Sequence, residues 1–185
     1  MEEIKLYSGR PDSTEGRLEK EVRCYDLLDS LSVEYVSADH GAAETMALCE
    51  EIDKTLGAAI CKNLFLCNKQ QTAFYLLMMP GEKPFKTKLL SKQIGSSRLS
   101  FATPEHMETL LGVTPGSVSI MGLMNDKNGT VRLLVDKDIL EGEFVGCHPC
   151  TNTSSLKIRT EDMFGPLLTA LGHTATTVEL PWEVD

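Results

Sequence analysis

No part of this chain is apolar for long. The longest apolar run, Ala73 to Met79, is far too short to cross a bilayer, and the opening residues Met1-Glu2-Glu3-Ile4-Lys5-Leu6-Tyr7-Ser8 lack the apolar core of a secretion signal. Those two absences predict a soluble, cytoplasmic protein with no membrane partner. There is no internal repeat, low-complexity tract or linker, so 185 residues with 42% hydrophobic content are expected to fold as one domain spanning 1–185. Also missing are a phosphate-cradling glycine loop before a helix, a G-x-S-x-G elbow, an H-E-x-x-H pair and an acidic cluster suited to magnesium. No metal and no cofactor is expected.

Positive charge is scarce as well. A formal charge of -9 argues against broad binding to nucleic acid, and no DNA partner is expected. One segment runs against that background: Lys83 to Thr103 carries Lys83, Lys86, Lys88, Lys92 and Arg98 and no acidic residue. It reads either as a solvated helix face or as a docking site for a phosphate backbone. The six cysteines are irregularly spaced and do not form a disulfide framework. They are expected as free thiols, most of them small core residues.

What is present is an alternation of helical and extended patterns. Ser13 and Thr14 are placed to cap a helix over 15–31, with Leu18, Val22, Tyr25 and Leu28 on one face. Val33 to Ala38 alternates as a strand, Asp39-His40-Gly41 turns, and a second helix over 44–56 ends at Gly57, with Met46, Leu48, Cys49 and Ile52 facing inward. Strands over 58–67 and 72–79, joined by a turn at Asn68 to Gln71, form a hairpin at the centre of a sheet. The basic segment forms a helix over 86–94 and an extended piece over 98–102. Thr103-Pro104-Glu105 starts a helix that Gly112 closes, with His106 at its surface. After Thr114-Pro115-Gly116, residues 118–125 lead to a turn at Asp126-Lys127-Asn128-Gly129. Strands follow at Val131 to Val135, Phe144 to Cys147 and Leu156 to Arg159, then a helix from Thr160 to Leu171 that includes Pro166, and a strand over 176–180. The fold class is α/β or α+β, with a mixed, largely antiparallel central sheet, or partial barrel, surrounded by helices.

Two places carry polar side chains where the pattern calls for apolar ones. In the run Ala58 to Cys67, Lys62 shares a face with Ile60, Leu64 and Leu66, so its ammonium must find a partner, reach a cleft, snorkel to solvent or lose its proton. Asn63 is polar on the opposite face. The second place is Val145-Gly146-Cys147-His148-Pro149-Cys150-Thr151-Asn152-Thr153. Here a glycine and a proline frame a stiff loop holding a histidine, unless it is an ordinary hairpin turn. Cys147-His148-Pro149-Cys150 has the spacing of a thiol-disulfide site and of half a zinc site. The first is expected at a helix start and the second needs two further ligands, and neither is found.

Taken in order, His40-Gly41-Ala42-Ala43-Glu44-Thr45, Gly57, Lys62-Asn63-Leu64-Phe65-Leu66, Leu111 to Val118, Gly122 to Asp126, and Gly146-Cys147-His148-Pro149 with Asn152-Thr153 resemble the YbaK/ProX-type aminoacyl-tRNA deacylases. Within that family the chain looks most like the ProX (PrdX) group, relatives of the editing domain inserted in bacterial prolyl-tRNA synthetase, and the likeness runs from about Arg17 to Val178. The resemblance implies the editing-domain fold and hydrolysis of alanine mis-attached to proline tRNA, an error that arises because a pocket built for proline cannot strongly exclude a smaller residue. It implies that Lys62 holds the terminal phosphate or the ester, that Asn63 bonds the aminoacyl carbonyl or the water, and that His148 orients water or the ribose hydroxyl. It also implies that Gly146, Cys147 and Pro149, with Asn152, wall the amino-acid pocket. Arg98, Lys83, Lys86, Lys88 and Lys92 would meet the acceptor end of the tRNA, and prolyl-tRNA synthetase is a possible partner. Cys147 and Cys150 depart from the family's apolar residues, which predicts thiols lining or backing the pocket. Removal of cysteine, a non-catalytic tRNA- or amino-acid-binding protein, and a thiol sensor using Cys147 and Cys150 remain as alternatives.

Overall fold

The computed structural model describes residues 3–185, so Met1 and Glu2 of the stretch read for a secretion signal lie outside the described residues. The expected hairpin is at the centre of a sheet. β3 (Lys62–Asn68) and β4 (Phe74–Met79) pair antiparallel, with Leu64 opposite Leu77. Leu76, Leu77, Met78 and Met79 of β4 are all fully buried. With both faces covered, the strand has no need of polar alternation. β6 (Val131–Asp136) lies parallel to β4, β9 (Ala175–Val178) parallel to β6, and β5 (Leu99–Phe101) antiparallel to β3. On one side, α3 (Thr87–Ile94) places Leu90 in a core with Leu66, Leu77, Leu99 and Leu134. On the other, α1 (Glu19–Ser30) contributes Cys24, Tyr25 and Leu28 to a larger core with Phe65, Leu76 and Met78.

The remaining strands form a second sheet. β1 (Lys5–Ser8), β2 (Tyr35–Asp39), β8 (Ser154–Arg159) and β7 (Phe144–Cys147) are antiparallel in that spatial order. Both sheets are open, and the mixed, largely antiparallel reading holds for the pair. They are joined where Ile60 and Gly146 form a parallel bridge: the Cys61 N–H donates to the Gly146 carbonyl at 3.1 Å, and the Gly146 N–H to the Ala59 carbonyl at 3.1 Å. A Cβ on residue 146 would stand 2.7 Å from the Ala59 oxygen and 2.9 Å from Ile60 Cδ1. Gly146 is therefore a contact glycine inside a strand, not a turn glycine. Gly146→Ala should cost about 1–3 kcal/mol by overpacking and lower Tm by several degrees; an unchanged melting curve would contradict this account of the junction.

Local chemistry explains where element boundaries differ from expectation. α1 starts at Glu19 with Leu18 at its cap and no side-chain cap, so Ser13 and Thr14 do not cap it. Gly16 at φ 76° turns the chain first, and the Ser13 hydroxyl instead accepts the Glu15 N–H. α2 (Met46–Leu56) is capped by Thr45, which accepts the Leu48 N–H, and ends at Gly57 in the left-handed region. Met46, expected inside, is 81% exposed because it is the first helical residue and the buried face begins further on, at Ile52 and Leu56. α4 (Pro104–His106) starts at Thr103 as expected and continues through a π-helical turn, Met107–Leu111, to Gly112. His106 is half-buried, its ring edge-on to Phe74. After the 3₁₀ segment Ile120–Asn125 and the short α5 (Lys137–Glu141), the last helical stretch runs from α6 (Thr160–Asp162) to α7 (Leu168–Ala170). A π-helical turn, Met163–Leu167, between them absorbs the missing N–H of Pro166. No helix among the described residues is long and apolar enough to cross a membrane.

Candidate active site

The Ile60–Gly146 junction positions the candidate residues. Because the bridge is parallel, two chains leave it side by side: Cys61-Lys62-Asn63 into β3 and Cys147-His148-Pro149 into the loop before β8. Residues some 85 apart in sequence thus meet at one corner, and Lys62 and Asn63 are the first two residues of their strand.

Strand alternation sends Lys62 and Asn63 to opposite faces. Lys62 is half-buried, and its Nζ donates to the Lys83 carbonyl at 2.7 Å. Burial lowers its pKa, and no carboxylate among the described residues forms an ion pair with it. Asn63 faces the larger core beside Cys61 and Phe65, its Nδ2 donating to the Cys61 carbonyl at 3.2 Å and to the Cys61 thiol at 3.4 Å. Its Oδ1 is the one buried side-chain oxygen or nitrogen without a hydrogen-bond partner among the described residues. Such an orphan costs about 1–3 kcal/mol and calls for an explanation.

His148 is half-buried, and its Nδ1 donates to the Ser154 carbonyl at 2.8 Å. Burial lowers its pKa and the nearby His40 adds to that, so the imidazole is neutral at pH 7. With the proton on Nδ1, Nε2 keeps a lone pair and has no partner among the described residues. Two further loops close on this one: the Ala43 N–H bonds the Asn152 carbonyl at 3.1 Å, and Asn152 Nδ2 lies 3.6 Å from where a Cβ on Gly116 would stand.

Other candidates are placed differently. Both backbone groups of Gly146 are consumed at the junction, so it supplies no free donor to a ligand. Cys147 is fully buried, and burial pushes its thiol well above the ordinary range. Pro149 and Cys150 are also inside, Cys150 in the left-handed region at φ 62°. The sulfur nearest Cys150 is that of Cys24, at 3.8 Å. The hydrogen bond Cys24 donates to Cys150, together with its burial, holds the Cys24 thiol protonated. A Cys147–Cys150 sensor pair thus has neither exposure nor an activated thiolate at Cys147. Thiol titration of the native protein should label Cys49, the partly exposed cysteine, well before the others; rapid labelling of Cys147 and Cys150 without unfolding would revive the sensor. Among the described residues no group of three or more His, Cys, Asp or Glu is placed to hold a metal ion.

The basic segment divides. Lys86, Lys88, Lys92 and Arg98 are exposed on and around α3, and Lys86 Nζ bonds the Asp185 carbonyl. Lys83 does not belong with them: its side chain is buried, with Nζ 2.9 Å from Asp136 and 2.8 Å from Asp138 and under the ring of Trp182. Burial opposes its charge, but the hydrogen bonds it donates to Asp138 and Asp136 outweigh that and raise its pKa. Spacing along the chain could not show that one lysine of the run turns inward, because its acidic partners lie more than fifty residues away. Also unanticipated was the group behind His148, formed by His40, Ser154, Ser155 and the Arg17–Asp39 pair.

Residues 40–165 match the family described as the aminoacyl-tRNA editing domain. The chain is 31% identical to the prolyl-tRNA editing protein ProX of Acetoanaerobium sticklandii over 83% of its own length and 93% of the relative's. It is also 31% identical to the prolyl-tRNA synthetase associated domain-containing protein 1 of Xenopus laevis, over 85% and 94% of the two chains. A solved structure described as a candidate trans-editing enzyme for prolyl-tRNA synthetase superposes with a TM-score of 0.65 at 19% identity, covering 89% of this chain and 99% of the other, and so shares the fold.

Proposed function

We propose that this chain, which belongs to the aminoacyl-tRNA editing domain family, is a cytoplasmic deacylase that hydrolyses the ester of mischarged proline tRNA, with alanine as the amino acid removed. The observation that carries the reading is a set of polar groups around the Ile60–Gly146 junction that are unsatisfied among the described residues: an ammonium without a carboxylate, a buried amide oxygen without a donor, and a neutral imidazole with a free Nε2. An aminoacyl ester is already activated, so positioning and charge stabilisation suffice to break it without a metal or a covalent nucleophile.

In this scheme the 3′ end of the tRNA lies across the start of β3. Since Lys62 and Asn63 face opposite sides, they take different parts of the substrate: Lys62 the terminal phosphate or the oxygen on which charge develops, Asn63 the aminoacyl carbonyl or the water. His148 Nε2 accepts a proton from that water as its oxygen bonds to the ester carbon. The bond from that carbon to the ribose oxygen then breaks, and the proton passes to the departing ribose hydroxyl, leaving free amino acid and intact tRNA. Cys147 and Pro149 back the amino-acid pocket from within the core, and Asn152 lies at its rim. Lys86, Lys88, Lys92 and Arg98 meet the acceptor stem, and prolyl-tRNA synthetase is the partner that would present the mischarged product.

Proline tRNA charged with alanine, cysteine or proline, offered separately to the native protein, tests the proposal. Release of alanine alone supports it, and release of cysteine alone moves the specificity while keeping the chemistry. No release from any of the three would turn the reading to a tRNA-binding protein.

A further inference from the structure

We infer that His40 is a positioning residue that, by holding the Ser155 hydroxyl turned to itself, keeps His148 in the tautomer whose Nε2 is free, a role that rests on the proposed deacylase reading. The hydrogen bonds leave little choice about where the protons are. His40 Nδ1 lies 2.6 Å from the Gly41 carbonyl, which can only accept, so Nδ1 carries a proton. When that is the ring's one proton, Nε2 of His40 is a bare lone pair, and at 2.8 Å it takes the hydroxyl proton of Ser155. With that proton turned to His40, the Ser155 oxygen offers lone pairs to its other neighbour, His148 Nδ1, at 3.4 Å. His148 Nδ1 faces a second pure acceptor, the Ser154 carbonyl at 2.8 Å. Two acceptors on one ring nitrogen keep the proton there, so the lone pair is on Nε2, the atom with no partner among the described residues. Were the Ser155 hydroxyl reversed, its proton would oppose the N–H that the Ser154 carbonyl holds. His40 prevents that reversal.

The assembly is anchored by the sheet. Asp39 pairs with Ser154 and Ala38 with Ser155 between β2 and β8, and the His40 N–H bonds the Thr153 carbonyl at 3.0 Å. The Ser154 hydroxyl donates to Asp39 at 2.9 Å, and Arg17 grips both oxygens of Asp39, at 2.9 and 2.6 Å. Burial works to raise the Asp39 pKa, but the hydrogen bonds from Arg17 and Ser154 outweigh it and keep the carboxylate ionised. Asp39 thus fixes Ser154 as His40 fixes Ser155. The two rings stand 6.4 Å apart, close enough for one hydroxyl to span them.

The test has a spectroscopic arm independent of activity. Two-bond ¹⁵N–¹H correlation spectra of histidine-labelled native protein at pH 7.5 should show both His40 and His148 protonated on Nδ1; His148 protonated on Nε2 would overturn the inference. His40→Phe frees the Ser155 hydroxyl to turn its proton to His148 Nδ1, so it should give a mixed His148 tautomer signal and lower kcat on the mischarged tRNA about 10-fold with KM unchanged. Adding Ser155→Ala removes that competing donor and should restore the Nδ1 tautomer, which the Ser154 carbonyl then holds alone. An unchanged tautomer and kcat in His40→Phe, or a fall confined to KM, would reduce His40 to a structural residue. A native protein inactive on every mischarged tRNA would refute the deacylase reading alone, since the spectra still decide the tautomer.

Discussion

Lys62→Ala is expected to lower kcat/KM on mischarged proline tRNA by about 10²–10³-fold, the usual cost of removing a fixed donor that stabilises developing charge. The expectation follows from the lysine's surroundings rather than from its position in a motif. A half-buried ammonium is normally paired with a carboxylate, yet among the described residues Lys62 bonds the neutral Lys83 carbonyl at 2.7 Å and no carboxylate. Its lowered pKa records charge that the protein leaves under-compensated, and a phosphate or an oxyanion would supply the compensation. Lys62→Arg should recover little, because the planar guanidinium is longer and cannot take the ammonium's place on that carbonyl. Since methionine keeps an apolar stem of similar length and gives up one hydrogen bond to a carbonyl, Lys62→Met should melt within a few degrees of the native protein. A kcat/KM within twofold of native in Lys62→Ala would remove Lys62 from the site.

The largest stability effect is expected at Lys83, which looked in the sequence like its neighbours. Lys83→Ala strips the cation from Asp136, itself fully buried, and an uncompensated buried charge costs about 3–5 kcal/mol. For a chain of this size that corresponds to a Tm lower by about 10–15 °C. The double variant Lys83→Met with Asp136→Leu should recover much of the loss, because what destabilises is the orphaned charge, not the absence of the pair. Lys88→Ala, on the exposed face of the same segment, should leave Tm unchanged and instead weaken tRNA binding and its dependence on salt. A Lys83→Ala protein that melts like the native one would show Asp136 to be compensated in some other way.

The contrast between Lys83 and Lys88 marks how far the chain could be read by itself. Elements whose period matches their surroundings were legible. The unbroken apolar run of β4 is buried on both faces, Thr103 and Pro104 begin α4, and the glycines after α2 and the turn at 107–111 lie in the left-handed region. Errors came where a local signal was overridden by its neighbours. Gly16 stopped the chain at Ser13 and Thr14 from starting α1, and β1, whose four residues carry little pattern, was not read as a strand.

The sequence alone determined that Lys62, Asn63 and His148 are out of keeping with the apolar segments around them, and the order of its motifs was enough to indicate the editing-domain family. Those are one-dimensional facts, set by side-chain chemistry against a hydrophobic period. Only the tertiary structure decided that Lys62 bonds the Lys83 carbonyl, that Gly146 is reserved for a junction between sheets, that Lys83 is buried, and that His40 and Ser155 stand behind His148. Each depends on a partner between about twenty and more than a hundred residues away, and hydrogen bonds and ion pairs act over a few ångströms of space without regard to separation along the chain.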